Sequence, residues 1–355
     1  MKKTPTERAV GKILAYDTTL VTSKESSTLL GRGHRITKSD VERLKNSGVY
    51  QVWTEDNKAG LIYEWEISLE IAKRISDEST EVVGGKHGIA FLVSKEPGLI
   101  QIDHKELIKF NLNQEVLLIT KGQDHAVGKE EIIAAIDVIP LGIEKERMEN
   151  IVKLVKRGMV RVLPFKYSKI ALIITGTEIY EERKKDQYFS IMKKKCERYG
   201  WKIAYKEIVP DNQELETRAI QSARIAGVDA IIITGGMSVD PTDKTPITIR
   251  DLGAKIIAYG IPMKPTTMTI VSMWKGMPLF GISAGGIRYS DFNSIDVIFT
   301  RLMAGKIPSR REIALLGEGG IFWNYSNKRN APLSPEATGL SHRKVKRSTA
   351  RVIRG

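Results

Sequence analysis

Cysteine is nearly missing from this chain of 355 residues, in which Cys196 is the single one. One thiol excludes a disulfide framework and a zinc site built from cysteines. It is typical of a protein from a reducing compartment. The lysine-rich sequence around Cys196 favours a partly buried helix position over a reactive site.

Long apolar runs are missing as well. No stretch approaches the roughly 20 apolar residues that a transmembrane helix needs, and no hydrophobic segment follows residues 1–8 as it would in a secretory signal. We therefore expect a cytoplasmic protein that does not enter a membrane. Apolar residues make up 41% of the chain and charged residues 28%, which is ordinary for a globular protein.

Acidic residues are too few to balance the basic ones, so the formal net charge is +14. The excess is concentrated in residues 341–355, which contain six Lys or Arg and no acid. With the preceding segment rich in Asn, Pro and Ser, this predicts a basic flexible tail over residues 323–355. A nucleic-acid-binding arm is the alternative. The sequence does not favour it, because no aromatic residues interleave with the basic ones.

Patterning divides the rest of the chain into three regions. Residues 1–62 combine strand-like pieces, such as Gly11 to Tyr16, with a capped helix near Lys38 to Ser47, which predicts a small mixed α/β unit. Residues 63–145 contain short alternating segments separated by glycine and charged turns, which predicts a β-rich accessory domain.

Residues 146–322 open with a lysine-rich helix and then alternate strands with helices. Strands fit residues 170–175, 202–208, 229–234, 255–259, 268–273 and 278–282, and helices fit residues 187–199, 213–226, 244–252 and 286–304. A βαβαβ start with buried strands predicts an α/β fold with a doubly wound, mostly parallel sheet. Such sheets bind small molecules beyond the carboxyl ends of their strands.

The most specific segment runs from Ala230 to Ile249, where a buried strand leads into Thr-Gly-Gly, two aspartates (Asp240 and Asp243) and Thr-Pro. Two glycines let a backbone approach a ligand closely, and a capped helix start can hold an anion. The ligand-binding residues predicted here are Thr234, Gly235, Gly236, Ser238 and Thr245. A simple tight connection from strand to helix is the alternative.

An earlier strand ends in the same way, in Thr175, Gly176, Thr177 and Glu178. We expect these four residues to bind the same ligand, with Glu178 accepting ring N–H groups or helping to hold Mg²⁺. Asp211 follows the next strand, where a helix N-cap belongs. A turn with a surface acid would also explain Glu178, and capping alone would explain Asp211.

Two further loops lie next to predicted strands. Lys264 is placed to meet a phosphate if its loop faces the crevice, although a loop lysine is more often only solvated. Ser283 and Gly285 precede the helix predicted over residues 286–304, whose first amide groups could form an anion nest.

Together these segments resemble the molybdenum-cofactor biosynthesis fold shared by molybdopterin adenylyltransferases and molybdopterin molybdotransferases. The shared pattern is a Thr-Gly-(Asp/Thr)-Glu loop, a Pro-Asp after the next strand, and Thr-Gly-Gly followed by Asp-x-Thr-Pro. In this chain they are Thr175 to Glu178, Pro210-Asp211, and Thr234 to Pro246. The N-terminal portion is similar, more loosely, to that of a subgroup of molybdopterin-binding proteins.

The resemblance implies a crevice for molybdopterin or its adenylylated form, with Mg²⁺. Asp211 and Asp243 match the family's paired catalytic acids, and Asp243 and Glu178 are the implied metal ligands. Molybdate and a recipient molybdoenzyme are the implied further partners, and a homodimer is the implied assembly.

Two loops depart from the family's pattern. The family has Pro-Gly where Pro265-Thr266 stands, and Leu-Pro-Gly-Asn where Ile282 to Gly285 stands. We expect Thr266 to add bulk at a position that faces the ligand. The sequence therefore leaves two functions open: a molybdotransferase-like enzyme with Mg²⁺-dependent phosphoanhydride chemistry, or a non-enzymatic carrier or sensor of the cofactor with a degenerate site.

Overall fold

A computed structural model describes residues 1–21, 26–55, 60–84, 88–237 and 243–321. The predicted basic tail, residues 323–355, lies outside the described residues. Within them, no helix is long and apolar enough to cross a membrane. The chain forms two compact units. The first contains Met1–Val93, Ile102–Thr120 and Ile132–Arg161, and the second contains Ser94–Gln101, Lys121–Glu131 and the chain from Val162 onward.

Strands and helices are numbered in chain order. The strands are β1 (Lys2–Pro5), β2 (Thr18–Val21), β3 (Ser26–Leu30), β4 (Gln51–Thr54), β5 (Leu61–Tyr63), β6 (Thr80–Gly84), β7 (Ile89–Ser94), β8 (Gly98–Ile102), β9 (Val116–Thr120), β10 (Ala126–Val127), β11 (Ile132–Val138), β12 (Gly142–Glu144), β13 (Val160–Pro164), β14 (Lys169–Thr175), β15 (Lys202–Val209), β16 (Ala230–Thr234), β17 (Lys255–Tyr259), β18 (Thr269–Trp274) and β19 (Met277–Ile282). The helices are α1 (Lys38–Asn46), α2 (Glu64–Ile75), α3 (His104–Asn111), α4 (Lys145–Val152), α5 (Thr177–Tyr180), α6 (Tyr188–Tyr199), α7 (Gln213–Ile225), α8 (Thr245–Asp251), α9 (Ala284–Tyr289), α10 (Thr300–Met303) and α11 (Arg310–Leu315), with a 3₁₀ turn at Thr6–Arg8 and a π-helical turn at Ile295–Phe299.

Antiparallel pairing characterises the first unit. Its largest sheet has the order β6-β7-β11-β9, and β11 runs antiparallel to both of its neighbours. The strand predicted at Gly11 to Tyr16 is wrong, because the backbone groups of this segment divide between two partners. Leu14 N–H donates to the His34 carbonyl, whereas Ala15 N–H donates to the Trp53 carbonyl.

The second unit is built on a six-stranded sheet of order β15-β14-β16-β19-β18-β17. The first four strands run parallel, β18 runs in the opposite direction, and β17, antiparallel to β18, runs in the direction of the first four. All of β16, and all of β14 after Lys169, is buried. Strands buried on both faces are apolar throughout, which is why these two could be predicted. The predicted mostly parallel α/β sheet is confirmed.

Helices cover both faces of this sheet. On β14, Ile170, Leu172 and Ile174 pack into an apolar cluster with α6 and the π-helical turn. Ala171 and Ile173, which point the other way, pack with α7 and α8. Successive side chains of a strand alternate between faces, so one apolar strand supports both layers. The sheet is therefore doubly wound, as predicted.

The second unit also contains two segments that the sequence places in the 63–145 domain. Leu99 of β8 and Ala126 of β10 belong to the same apolar cluster as Trp201, and β8 pairs with β10. This shared core draws Ser94–Gln101 and Lys121–Glu131 into the second unit. The boundaries at residues 62, 145 and 322 remain predictions.

The long helix predicted over residues 286–304 is wrong. Backbone at Ser290 is extended, with φ −148° and ψ 135°, so α9 ends at Tyr289. A buried polar network fixes this break, because Asp296 accepts hydrogen bonds from Lys195 Nζ at 2.6 Å and from Tyr199 Oη at 2.7 Å. It also accepts the Asn293 N–H at 2.8 Å. Apolar spacing continues through the break, which is why the sequence suggested one helix.

Candidate functional site

A cleft of about 390 Å³ opens in the second unit where β14 and β16 end. Loops after the parallel strands converge there, as expected for the carboxyl edge of such a sheet. The predicted site residues that line it are Thr175, Gly176, Glu178, Asp211, Gly235, Gly236 and Asp243. The structure thus brings together residues from all three segments of the family-like pattern.

The turn after β16 forms the floor of the cleft, with φ +100° at Gly235 and +58° at Gly236. A Cβ at Gly235 would lie 2.5 Å from the Thr175 carbonyl oxygen, and one at Gly236 would lie 2.5 Å from Thr245 Oγ1. Two threonines hold this turn. Thr175 Oγ1 donates to the Thr234 carbonyl at 3.3 Å, and Thr245 Oγ1 donates to the Gly235 carbonyl at 3.2 Å. Glycine is therefore required here by both conformation and space.

Thr234 and Thr245 support the turn from beneath, since both are fully buried. The hydroxyl of Thr234 has no hydrogen-bond partner among the described residues. The sequence suggested that Thr245 caps α8. In the structure its hydroxyl is directed to Gly235 instead, and the N-cap position is Lys244. The predicted ligand-binding role of these two threonines is thus, in the structure, a supporting position.

Asp211 connects the loop after β15 to the loop after β14. Its Oδ2 accepts the Thr177 backbone N–H at 3.0 Å and the Thr177 hydroxyl at 3.2 Å. Capping does not explain this aspartate, because the side chain of Asn212 caps α7 by accepting the Leu215 N–H at 3.0 Å. Asp211 therefore faces the cleft while it fixes the Thr177 end of the loop.

The carboxylates at the cleft can hold a metal ion only if a bound ligand supplies some of the coordinating atoms. No group of three or more His, Cys, Asp or Glu side chains converges in the described part of the chain. Glu178 forms an ion pair with Lys184 through one carboxylate oxygen, and this cation competes with a metal ion for the side chain. Mg²⁺ commonly takes one or two carboxylates and completes its shell with substrate phosphates and water. Asp211 and Asp243 fit that arrangement and do not form a cage by themselves.

Three cationic side chains line the cleft that were not among the predicted site residues, namely Lys184, Lys185 and Arg288. Arg288 lies one helical turn after Ala284 on α9, and both residues line the cleft. That spacing, together with the basic run after Glu178, is a signal that the sequence does contain. Tyr188 also lines the cleft, and burial raises the pKa of its hydroxyl, an effect that the positive charge of Arg288 opposes.

Other predicted residues lie away from the cleft or outside the described residues. Lys264 is exposed and its backbone N–H donates to the Gly320 carbonyl at 2.8 Å. Ser283 and Gly285 are not among the lining residues, although Ala284 between them is. Ser238 and Asp240 lie outside the described residues, so their roles stay predictions.

Thr266 does not face the ligand cleft, contrary to expectation. It is fully buried, its Oγ1 accepts the Ser294 N–H at 2.9 Å, and its methyl group packs against α9. A Cβ on Gly286 would lie 2.4 Å from that methyl carbon. The bulk of Thr266 is thus accommodated by a glycine in the neighbouring loop, and the cleft does not lose volume to it.

Residues 171–289 match the family described as probable molybdopterin binding domain, and this range holds every cleft residue named above. Residues 171–289 are a domain of this family. In the first unit, residues 3–56 match a domain family of unknown function.

The individual proteins that are similar to this chain are distant in sequence. The chain is similar to a molybdopterin molybdenumtransferase of Staphylococcus epidermidis, with 23% identity over 246 residues, and the match covers 59% of this chain and 58% of that relative. The chain thus spans less than two thirds of the length of this relative. A protein of Methanocaldococcus jannaschii named for molybdopterin biosynthesis is 29% identical over 119 residues, covering 32% of this chain and 29% of that protein. Among solved structures, the molybdopterin biosynthesis enzyme MoaB of Thermus thermophilus matches 39% of this chain and 98% of its own, at 16% identity and a TM-score of 0.34.

Proposed function

We propose that the cleft binds molybdopterin and that the protein acts in molybdenum cofactor biosynthesis. The observation that carries the proposal is the double-glycine turn, held by Thr175 and Thr245 at the floor of the cleft. Support comes from the family match over residues 171–289, which encloses this turn. The names of the relatives point to the same pathway.

Charge in the cleft suits both ends of such a ligand. Molybdopterin carries a phosphate, for which Lys184, Lys185 and Arg288 supply positive charge and the turn at Gly235 supplies close backbone approach. The pterin ring presents N–H donors, and the carboxylates of Asp211 and Asp243 are acceptors on the same cleft. We therefore assign the phosphate to the cationic wall and the ring to the acidic one.

A molybdotransferase-like activity extends this proposal. In it, Asp243 and Asp211 would hold Mg²⁺ in place of the pterin ring, the phosphoanhydride of the ligand would complete the shell of the metal, and the first loop stays fixed through Thr177. When bound there, Mg²⁺ supplies Lewis-acid polarisation of a phosphoanhydride. The adenylylated form of molybdopterin and molybdate would be the substrates. A recipient molybdoenzyme and a homodimer belong to the same proposal.

A carrier or sensor without chemistry is the second candidate. Asp211 and Glu178 are engaged within the protein, Asp211 by Thr177 and Glu178 by Lys184. Acids that are held in this way suit ligand positioning without turnover. Cleavage of adenylylated molybdopterin that disappears in Asp243→Asn would exclude the carrier, and intact ligand after prolonged incubation would favour it.

The experiment for the ligand class is purification of the full chain from a molybdopterin-producing host, followed by mass spectrometry of what it releases. We expect molybdopterin or its adenylylated form to copurify with the wild type. Arg288→Gln, which removes a cation from the cleft, should copurify much less ligand than Arg310→Gln, an exposed arginine that is not among the cleft-lining residues. Equal recovery of ligand with these two variants would count against this cleft.

A further inference from the structure

A buried glutamate lies behind the cleft, and neither the motif nor the mechanism above uses it. Glu216 on α7 has no exposed surface. Its Oε2 is 2.6 Å from Thr248 Oγ1 on α8. Its Oε1 has no hydrogen-bond partner among the described residues. Buried polar atoms without partners are rare in native proteins and cost stability, so this one calls for a reason.

The contacts of Thr248 show which protonation state of Glu216 is consistent with the structure. Thr248 Oγ1 is 2.6 Å from Glu216 Oε2 and also 3.1 Å from the Lys244 carbonyl oxygen. A threonine hydroxyl has one proton and two acceptor lone pairs. If it donated to a carboxylate and to a carbonyl at the same time, the one proton would be shared in a three-centre bond that is weak on both sides. Both contacts are full two-centre hydrogen bonds when Glu216 carries a proton and donates it to Thr248 Oγ1, while Thr248 donates to the Lys244 carbonyl.

The surroundings of Glu216 favour this protonated form. Burial is the main cause that raises the pKa of Glu216 to about 7; the hydroxyls of Thr248 and Thr245 oppose it, and the negative charges of Asp211 and Asp243 add to it. No cation forms an ion pair with it among the described residues. Burying an unpaired carboxylate costs several kcal/mol, so the neutral acid is favoured.

The far end of this hydrogen-bond chain is the wall of the cleft. Lys244 is the N-cap of α8, and its neighbours are Asp243, which lines the cleft, and Thr245, which holds the carbonyl of Gly235. The Lys244 carbonyl also accepts the backbone N–H of Thr248 at 2.9 Å, so the Thr248 hydroxyl adds a second bond to the first turn of α8, next to these two residues.

We propose that Glu216 is a positioning residue whose protonated carboxyl, through Thr248 and the Lys244 carbonyl, holds the first turn of α8 and with it Asp243. The inference rests on the proposed function for its ligand, molybdopterin, but it concerns hydrogen bonds that can be followed without a ligand. Glutamine should replace the protonated acid, because its amide N–H donates to Thr248 in the same way. Leucine fills the space and cannot donate.

The test uses the full chain and three variants, Glu216→Gln, Glu216→Leu and Thr248→Val, with Glu214→Gln on the exposed side of α7 as the control. The first readout is amide hydrogen exchange in the peptide that spans residues 243–252. We expect about tenfold faster exchange in Glu216→Leu and in Thr248→Val, and wild-type exchange in Glu216→Gln and in the control.

Molybdopterin affinity and Tm are the second and third readouts. Glu216→Leu should bind about tenfold more weakly with an unchanged or higher Tm, because the apolar side chain removes a buried atom without a partner. A purely structural glutamate would instead lose Tm and affinity together, and Glu216→Gln would not rescue the affinity.

Either of two results overturns the inference: exchange over residues 243–252 unchanged in Glu216→Leu, or Glu216→Gln behaving like Glu216→Leu. Should Glu216→Leu fail to fold, Thr248→Val decides in its place, and wild-type exchange in that variant overturns the inference. A wild type that binds no molybdopterin refutes the proposed function alone, since the exchange data still decide the role of Glu216.

Discussion

Two loop groups at one edge of the sheet differ in what they contribute to the cleft. The loops after β14, β15, β16 and β19 meet there, whereas the loop between β17 and β18 does not, although all five follow the carboxyl ends of strands that point the same way. Neighbouring strands are about 4.8 Å apart. Since β17 is two strands beyond β19, its loop lies roughly 10 Å to the side of it. Which loops reach a ligand therefore depends on the order of the strands across the sheet, and not only on the edge of the sheet at which the loops lie.

One departure from the family pattern, Thr266, falls in the loop between β17 and β18, and its bulk is accommodated beside the cleft. Thr266 stands where the family has glycine, and the glycine at 286 provides the space for its methyl group. The change at Thr266 is thus better understood as packing beside the cleft than as added bulk at the ligand. The loops that line the floor keep the family's pattern.

The largest effect is expected where the floor of the cleft tolerates no side chain. Gly235→Ala should abolish molybdopterin binding and lower the free energy of unfolding by about 2 kcal/mol or more, because the new methyl group overlaps the Thr175 carbonyl. Gly253→Ala is the matched control, since Gly253 has φ +73° but nothing lies within 4 Å of the point where its Cβ would be. Titration with molybdopterin and urea unfolding measure both effects. Similar losses in the two variants would mean that backbone strain alone, and not close approach, sets the requirement.

The packing of Thr266 against Gly286 predicts that substitutions at these two positions have strongly coupled effects on the free energy of unfolding. Gly286→Ala should lower the free energy of unfolding by about 1–3 kcal/mol, the usual cost of overpacking. Adding Thr266→Ser, which removes the methyl group and keeps the hydroxyl that accepts the Ser294 N–H, should restore most of the loss. A double-mutant cycle by urea unfolding gives the coupling. Additive losses would show that the two positions do not compensate.

The free energy of unfolding should depend on pH through Glu216, which lies behind the cleft. Its pKa is raised from 4.5 to about 7 in the folded protein, so the folded state binds the proton more tightly than the unfolded state. Below pH 4.5 both states are protonated, so the stabilisation that the bound proton gives is fully present. As the pH rises from 4.5 through 7 the free energy of unfolding falls, by on the order of 3 kcal/mol in total. Glu216→Gln should flatten this part of the profile. Glu64 in the first unit, whose pKa burial also raises to about 7, remains in both proteins. An identical slope in wild type and variant would contradict the assignment.

The smallest expected effect is on ligand affinity, and it distinguishes a cation that lines the cleft from a cation in the loop between β17 and β18. Arg288→Gln should weaken molybdopterin binding about tenfold, because a cation that lines the cleft is lost. Lys264→Gln should leave the affinity within about twofold, since Lys264 is exposed and not among the lining residues. Equal losses would place the flanking loop against the ligand.

Elements with continuous apolar runs or clear periodicity could be predicted from the sequence, and those fixed by buried polar contacts could not. The strands of the six-stranded sheet follow from runs such as Ile170 to Ile174. Asp296 breaks the helix predicted over residues 286–304 through bonds to Lys195 and Tyr199, which are far away along the chain. Nothing local in the sequence marks those partners.

The candidate site divides in the same way. Its glycine turn and acids follow strands, so motif order was sufficient to find Gly235, Asp211 and Asp243. Strand order had to be known before Lys264 could be excluded from the cleft. Arg288 could have been found from its helical spacing to Ala284, provided that the helix start had been taken as part of the site.

Titration of the purified protein with molybdopterin, followed by the fluorescence of the pterin, tests the central claim most directly. We predict saturable binding of one molybdopterin per chain with a Kd at or below about 10 µM, lost in Gly235→Ala and kept in Lys264→Gln. A wild type without saturable binding, or a Gly235→Ala variant that binds as tightly as the wild type, would contradict that claim.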